Sequence, residues 1–167
     1  MNSNLLFEFT VDKAQKTITV KREFAAHRNL VWDAWTKPEL LDQWWAPRPY
    51  RNRTKTLDFR EGGYWLYCMI SPAEEIHWAR ADYQSITPRE RFVVRDTFCD
   101  EEGNINTAFA WSDWSNVFHE DSADTTTVHI TITYPDLAAL EQIISMGFKE
   151  GFSMGLNQLD EWLAMQQ

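Results

Sequence analysis

The chain has 167 residues, of which 44% are hydrophobic and 25% charged, and this composition predicts one soluble globular domain over 1–167. The net charge is −9, and residues 100–167 carry 12 acidic side chains against one basic side chain, which argues against binding to nucleic acid. No apolar run approaches the roughly 20 residues that cross a bilayer, and no basic segment followed by an apolar run opens the sequence. We therefore expect a cytoplasmic protein that makes no membrane contact.

The first predicted element is a β-hairpin. Residues 5–11 and 16–24 alternate apolar and polar side chains on either side of a polar turn. In the second strand, Arg22 falls in register with Ile18, Val20 and Phe24, so its side chain points toward the core. A buried charge must be paired or must face a wet cavity. Arg22 is therefore a candidate polar anchor for a ligand.

Two short helices are predicted next, and they meet at Thr36. The segment from Thr36 to Glu39 fits a capping box, in which Thr36 would cap the second helix and Pro38 would lie in its first turn. Four of the nine tryptophans lie between positions 31 and 45. These tryptophans either fill the core or form one wall of a cavity, because their large amphipathic rings serve both purposes.

Six further strands complete a predicted antiparallel meander. They cover residues 52–60, 64–70, 75–86, 91–99, 107–119 and 125–134. In the strand 64–70, Trp65, Tyr67 and Met69 share one face, yet Leu66 and Cys68 make the other face apolar as well. Both faces of such a strand need a cover, so the pattern predicts a homodimer that buries the outer face.

A long helix from about residue 136 to about residue 164 is the last predicted element. An apolar stripe that includes Phe148 and Phe152 follows it at helical spacing. Gly147, Gly151 and Gly155 interrupt this stripe, and each lowers helix stability by roughly 1 kcal/mol relative to alanine. We expect compensation either from a close approach of the sheet or from an internal void at the glycines.

Six segments of the sequence resemble the family of activators of the heat-shock-protein-90 ATPase, within the START-like (Bet v-type, SRPBCC) superfamily. In the family's order they are REF at 22–24, VWDAWT at 31–36, WWAP at 44–47, FREGGYW at 59–65, YQSITPRERF at 83–92 and GFKEG at 147–151. The resemblance implies an α+β helix-grip fold: a curved antiparallel sheet of six to seven strands wraps around a long C-terminal helix. Two short helices follow the first strand or hairpin, and a pocket opens between sheet and long helix.

The aromatic residues that this fold would bring to the pocket predict its ligand. Apolar pockets with few polar anchors suit hydrophobic or aromatic small molecules. We expect such a ligand to contact Arg22, Trp45, Trp65, Tyr67, Met69, His77, Trp78, Tyr83, Trp111, Phe148, Gly151 and Phe152. The sequence has no nucleophile motif, phosphate-binding glycine loop or metal-ligand spacing, so we predict no metal or cofactor and assign no catalytic residue.

Three functions are open at this stage. The first, which we favour, is a binding protein without catalytic activity that serves stress response or detoxification. The second is an enzyme similar to polyketide cyclases or hydrolases, with Arg22, His77 or a tyrosine as its acid–base group. The third is a regulator of the chaperone ATPase, as the family name suggests. The eukaryotic co-chaperone contacts its chaperone through a separate N-terminal domain for which this chain has no room, so we expect no direct binding to the heat-shock chaperone.

Overall fold

The fold is built on one curved antiparallel β-sheet. The computed structural model describes residues 5–166. Its strands are β1 (Phe7–Asp12), β2 (Thr17–Phe24), β3 (Arg51–Leu57), β4 (Tyr64–Ile70), β5 (Ile76–Thr87), β6 (Arg91–Cys99), β7 (Ser112–Glu120) and β8 (Thr126–Thr133). Their order is β1-β2-β8-β7-β6-β5-β4-β3. The α+β prediction is confirmed, but the described sheet has eight strands rather than six to seven, because both strands of the first hairpin join it.

Four helices of the described chain lie on one face of this sheet. They are α1 (Arg28–Thr36), α2 (Pro38–Trp44), α3 (Leu137–Ser145) and α4 (Phe148–Met165). The core between helices and sheet includes the fully buried side chains of Phe24, Trp44 and Leu156. Trp32 packs edge-on against Phe118, with ring centroids 5.1 Å apart. Trp32, Trp35 and Trp44 therefore fill the core, because they face the sheet from α1 and α2.

The junction of α1 and α2 differs from the predicted capping box. The Thr36 hydroxyl donates to the carbonyl oxygen of Trp32 at 2.9 Å, so it closes the last turn of α1 instead of capping α2. Lys37 occupies the N-cap position of α2 and makes no side-chain hydrogen bond there. Pro38 lies in the first turn of α2, as predicted. The nearby carbonyl of α1 is thus the preferred partner of the buried threonine.

The predicted long C-terminal helix is divided into α3 and α4. Gly147 has a φ of 87°, a left-handed conformation that glycine adopts without steric cost, and it separates the two helices. Asp136 caps α3, because its carboxylate accepts a hydrogen bond from the Ala139 N–H at 2.8 Å. The apolar stripe continues across Gly147, and for this reason the periodicity predicted a single helix.

A close approach occurs at Gly155, but from the end of α2 rather than from the sheet as predicted. Gly147 and Gly151 instead border open space between helix and sheet, which is the other alternative. A Cβ atom at Gly155 would lie 3.3 Å from the carbonyl oxygen of Trp45. Gln158 secures the same contact, since its Nε2 donates to the carbonyl oxygens of Trp44 at 2.9 Å and Ala46 at 2.8 Å. The end of α2 is therefore fixed against α4.

The apolar outer face of β4 is covered from within the chain. Leu66 and Cys68 are 3% and 0% exposed, although they face away from the helices. On this outer face, the Lys55 ammonium lies 5.9 Å from the ring centroid of Trp78, and Arg80 donates to a carbonyl of the loop after β6 at 2.8 Å. Long side chains of β3 and β5 thus cover the surface that led us to predict a homodimer. The dimer itself stays a prediction.

Candidate functional site

A cavity of about 260 Å³ lies between the sheet and helices α3 and α4. Its walls come from the central strands, from the segment after α2 and from both C-terminal helices. Seven of the predicted ligand-contacting residues line it, namely Trp45, Tyr67, Met69, His77, Phe148, Gly151 and Phe152. Most of the lining is apolar, and the exposed His77 stands at the mouth. The structure therefore brings together more than half of the predicted site.

Small residues on β5 create this space. Ala79 on β5 lies between Tyr67 on β4 and Phe98 on β6, so a methyl group separates two large rings. Ala81, two residues further along the same face of β5, lines a smaller void next to the cavity. Neighbouring side chains on one face of a sheet are about 5 Å apart, so larger flanking rings stand above the two alanines and enclose a hollow.

Aromatic rings form the opposite wall. Trp45 packs against Phe152 and Trp114, each at a centroid distance of 5.9 Å. Phe148 stacks on Phe152 with centroids 5.3 Å apart. The Trp45 indole N–H also donates to the Tyr67 hydroxyl oxygen at 3.3 Å. These contacts hold the rings in place, so the cavity is preformed.

Trp65 and Tyr83, two further predicted residues, border the cavity from behind. They line an adjoining void of about 30 Å³ that is too small for an organic ligand. Trp65 stacks on Tyr67 at a centroid distance of 3.8 Å, and its indole N–H donates to the Thr54 hydroxyl at 2.9 Å. Trp65 therefore supports the cavity wall without lining it.

Arg22 does not reach the cavity. It is 6% exposed, and its guanidinium donates to Oδ1 of Asn157 on α4 at 3.0 Å. Burial lowers the pKa of Arg22, and the charge of Asp160 acts in the other direction. The inward register of Arg22 was predicted correctly. Its partner is α4 rather than a ligand, because three strands of the sheet lie between β2 and the alanines of β5.

Trp78 and Trp111 lie on the outer face of the sheet, so the structure does not bring them to the cavity. Trp78 pairs in register with the outward-facing Cys68. The Arg95 guanidinium carbon lies over Trp111, 4.0 Å from the centroid of the Trp111 ring. Aromatic character suggested an inward position for both residues, but the alternation of β5 directs its alanines inward and Trp78 outward.

Sequence reasoning missed an acidic residue, Asp96, that faces the cavity. Asp96 lies on β6 in a cross-strand row, between Ala81 of β5 and Ser112 of β7. Tyr134, which directly follows β8, extends this row past Ser112. Of the described residues that line the cavity, Asp96 alone has a carboxyl group, and none has the side chain of lysine or arginine.

Burial raises the pKa of Asp96 to about 7, and repulsion from Asp82 adds to the effect. Among residues 5–166, no hydrogen bond or ion pair involves the Asp96 carboxyl group. Burial also raises the pKa of Tyr67 and Tyr134, and the nearby Asp96 contributes in both cases. A carboxyl group that changes protonation near neutral pH can donate or accept a proton inside this cavity.

The signal for Asp96 was present in the sequence. Phe92, Val94 and Phe98 mark the inward register of β6, and Asp96 interrupts it as Arg22 interrupts the register of β2. The same argument from alternation would have found it. In the described part of the chain, no three histidine, cysteine, aspartate or glutamate side chains are grouped to hold a metal ion.

Comparison with known proteins identifies relatives of this chain. The family model described as "Activator of Hsp90 ATPase homolog 1-like protein" matches residues 25–164. A Mycobacterium smegmatis protein of known structure is 29% identical, with a TM-score of 0.86 over 95% of this chain and 96% of that one. A Staphylococcus epidermidis protein is 30% identical, with a TM-score of 0.82 over 95% of each chain. No curated protein sequence matches the chain.

More distant structures share the fold. The AHSA1 protein of Silicibacter pomeroyi is 18% identical, with a TM-score of 0.71 over 90% of this chain and 99% of that one. No helix within residues 5–166 is long and apolar enough to cross a membrane. The family model covers the sheet from β3 onward, the cavity and all four helices except Met165, the last residue of α4. This chain belongs to the Activator of Hsp90 ATPase homolog 1-like protein family, within the START-like superfamily.

Proposed function

We propose that this protein binds a hydrophobic or aromatic small molecule in the cavity between the sheet and helices α3 and α4. The observation that carries the proposal is the preformed space of about 260 Å³, walled by the rings of Trp45, Trp114, Phe148 and Phe152. An engineered apolar cavity of about 150 Å³ binds benzene. The space in this protein therefore suits a molecule of about two fused rings.

The energetic cost of the cavity supports a role for it. Atoms that line such a space lose packing contacts that a filled core would provide, and this lost packing weakens a fold. A larger side chain at Ala79 would occupy part of that space. Alanine at position 79 keeps this volume open, and a bound ligand would restore the packing that is missing there.

A thermal-shift screen of the purified protein tests this proposal. Suitable ligands are indane, tetralin, dihydroanthracene and their ketones, with medium-chain fatty acids for comparison. A ligand at about 100 times its Kd stabilises the protein by about 2.7 kcal/mol, which raises the melting temperature measurably. We expect a saturable shift with at least one ring system.

Cavity-filling variants supply the control. Ala79→Leu should abolish the shift, whereas Ala164→Leu, the same substitution at an exposed position of α4, should preserve it. Gly151→Leu fills the cavity from the helix side and serves if Ala79→Leu does not fold. The proposal fails if no compound gives a saturable shift, or if the shift persists in a folded cavity-filling variant.

An acid–base enzyme is the second candidate, and the position of Asp96 favours it. Arg22 is held by Asn157 outside the cavity and His77 stands at the mouth, so Asp96 replaces both as the candidate for proton transfer. A carboxyl group with a pKa of about 7 suits general acid–base catalysis at neutral pH. Turnover of a cavity ligand that disappears in Asp96→Asn while binding persists would support the enzyme. Binding without turnover favours the first candidate.

A further inference from the structure

We infer that Asp96 anchors the ligand through a neutral carboxyl group, and that the cavity therefore selects apolar molecules carrying a carbonyl oxygen. The inference rests on the proposed binding function and specifies which ligands that function takes. Its basis is a set of polar groups with unused hydrogen-bonding capacity on an otherwise apolar wall.

The first part of the argument is the row across the sheet. Asp96, Ser112 and Tyr134 lie side by side on β6, on β7 and just after β8, and all three line the cavity. The Ser112 hydroxyl already accepts a hydrogen bond from the Trp114 indole at 3.0 Å. Among the described residues, neither the Asp96 carboxyl group nor the Tyr134 hydroxyl has a hydrogen-bond partner. Both groups line the cavity, so a bound ligand can supply the partner that the protein does not.

Tyr67 adds a second donor on the other side of Asp96. Its hydroxyl oxygen accepts from the Trp45 indole at 3.3 Å, and this leaves its own proton free to donate. Because burial raises the pKa of Tyr67 and of Tyr134, both hydroxyls keep their protons at any pH near neutrality. The polar part of the cavity thus offers hydroxyl donors.

No cation faces Asp96 from the elements packed around it. In the described structure β4 presents Tyr67 and Trp65, and β5 presents alanines with Tyr83 beyond them. From the other side β7 presents Ser112 and Trp114, and the lining parts of α3 and α4 are apolar.

Two further titratable groups belong to the surroundings of the site, and only Asp82 affects Asp96. His77 stands at the mouth, where it is exposed to solvent, and Asp82 faces the outer side of the sheet and repels a charge on Asp96. Together with burial, this repulsion raises the pKa of Asp96 to about 7. Below neutral pH, Asp96 is therefore mainly a protonated hydrogen-bond donor rather than an anion.

A neutral carboxyl group between two tyrosines complements an oxygen that accepts hydrogen bonds. A buried protonated aspartate next to a tyrosine is a known way to bind a ligand oxygen. An ammonium ligand, in contrast, has only donors, and it would need the ionised carboxylate that burial disfavours. The donors of Tyr67 and Tyr134 would meet no acceptor on such a ligand. We therefore assign ketone-type ligands, rather than amines, to this cavity.

Matched pairs of ketone and hydrocarbon test the inference. Indanone with indane, tetralone with tetralin, and anthrone with dihydroanthracene differ mainly in one carbonyl oxygen. Trp45 and Trp114 line the cavity, so quenching of tryptophan fluorescence reports binding. At about pH 6 we expect each ketone that fits to bind about tenfold tighter than its hydrocarbon, which corresponds to one buried hydrogen bond.

Raising the pH should remove this preference. As Asp96 ionises, it loses its proton and repels the carbonyl oxygen, so the ketone-to-hydrocarbon affinity ratio should fall toward one between about pH 6 and about pH 9. Asp96→Asn keeps a donor without a charge, and its ratio should stay high at every pH. Asp96→Leu should still bind the hydrocarbons but should lose the preference for the ketones. Asp124→Asn, in an exposed turn, should behave as the unaltered protein.

The outcomes separate this inference from the proposed function. If hydrocarbons bind and the ratio is near one at about pH 6, or does not change with pH, Asp96 is not the anchor and only the inference fails. Tighter binding of aminotetralin than of tetralone would also overturn it in favour of an ionised Asp96. If neither member of any pair binds at any pH, the proposed binding function itself fails.

Discussion

Asp96 links the stability of this protein to pH, because its environment differs sharply between the folded and unfolded chains. Its pKa is about 7 in the folded protein, against about 3.9 for an aspartate in an unfolded chain. Between these values the folded protein holds a proton that the unfolded chain has released. Stability from this group is therefore complete below about pH 4, declines as the pH rises toward 7, and levels off above that.

We predict that Asp96→Asn removes this decline. The amide has no charge to desolvate, so at about pH 8 the variant should exceed the unaltered protein in unfolding free energy by about 2 kcal/mol, a figure reduced from the full effect because the cavity admits solvent. At about pH 4 the two should be equal. Urea unfolding across this range gives the comparison, with Asp124→Asn as the control. Parallel pH profiles of Asp96→Asn and the unaltered protein would contradict the prediction.

Arg22→Met should separate stability from ligand binding. The substitution keeps an apolar stem but removes the hydrogen bond to Asn157 and the positive charge near the buried Asp160. We expect the unfolding free energy to fall by about 2–3 kcal/mol. Ligand affinity of the folded variant should not change, because Arg22 does not line the cavity.

Urea unfolding and fluorescence titration of the same samples give both quantities for Arg22→Met. Lys21→Met, on the other face of β2, is the control for removing a positive charge. A tenfold loss of ligand affinity in folded Arg22→Met would contradict the prediction and show that Arg22 contributes to ligand binding.

Among the secondary-structure elements, the joint between α2 and α4 positions the aromatic wall of the cavity. Gln158 on α4 donates to the carbonyls of Trp44 and Ala46 through Nε2 and accepts from the Arg48 N–H at 2.7 Å through Oε1. Trp45 lies within the bridged segment and forms part of the cavity wall. Helix ends leave carbonyls without partners, and here one side chain of another helix satisfies them.

We predict that Gln158→Leu weakens both the fold and the site. The variant leaves two carbonyls and one N–H of the 44–48 segment without their partner, so we expect a loss of about 3 kcal/mol in unfolding free energy. Displacement of Trp45 should also lower ligand affinity, which distinguishes this variant from Arg22→Met. Gln43→Leu, an exposed position on α2, controls for the change of residue type. Unchanged stability of Gln158→Leu would show that the joint does not depend on this side chain.

For the molecule as a whole, local patterns predicted most of the architecture. Alternation located the hairpin and the inward direction of Arg22, and the family segments implied the order of strands and helices. The break at Gly147 was not predicted, because the apolar stripe continues on both sides of it. The role of Thr36 was misjudged because its hydroxyl can bond either to a carbonyl of α1 or to a backbone N–H of α2. Only the packing of the folded chain decides between these two partners.

The site was less predictable than the fold, since it depends on neighbours that are distant in sequence. Ala79 creates space only because Tyr67 and Phe98 flank it in the sheet, and no feature of its own segment shows this. The aromatic character of Trp78 suggested the cavity, whereas strand pairing directs it outward. Asp96 could have been found from alternation alone.

The predicted homodimer also concerns the whole molecule. The outer face of β4 is covered within the chain, so a second copy would need another surface. The edge strand β1 offers one, since Phe7 and Val11 are 40% and 38% exposed beside its unpaired backbone. Light scattering after size exclusion at micromolar concentration tests the prediction. A mass near twice 19.7 kDa would support the homodimer, and a mass of 19.7 kDa alone would make it wrong.

The left-handed turn at Gly147 divides the helical wall of the cavity into two separately held parts, α4 and α3. Helix α4 is tied to α2 by Gln158 and by the close approach at Gly155, whereas α3, which carries Ile143 over the cavity, is held by the buried Leu140 and by an exposed ion pair between Glu141 and Lys13. Rotation of α3 about Gly147 would uncover the cavity and leave the anchored helix in place. The residence time of a bound molecule would then be set by how often this joint opens, while its affinity is set by the walls of the cavity.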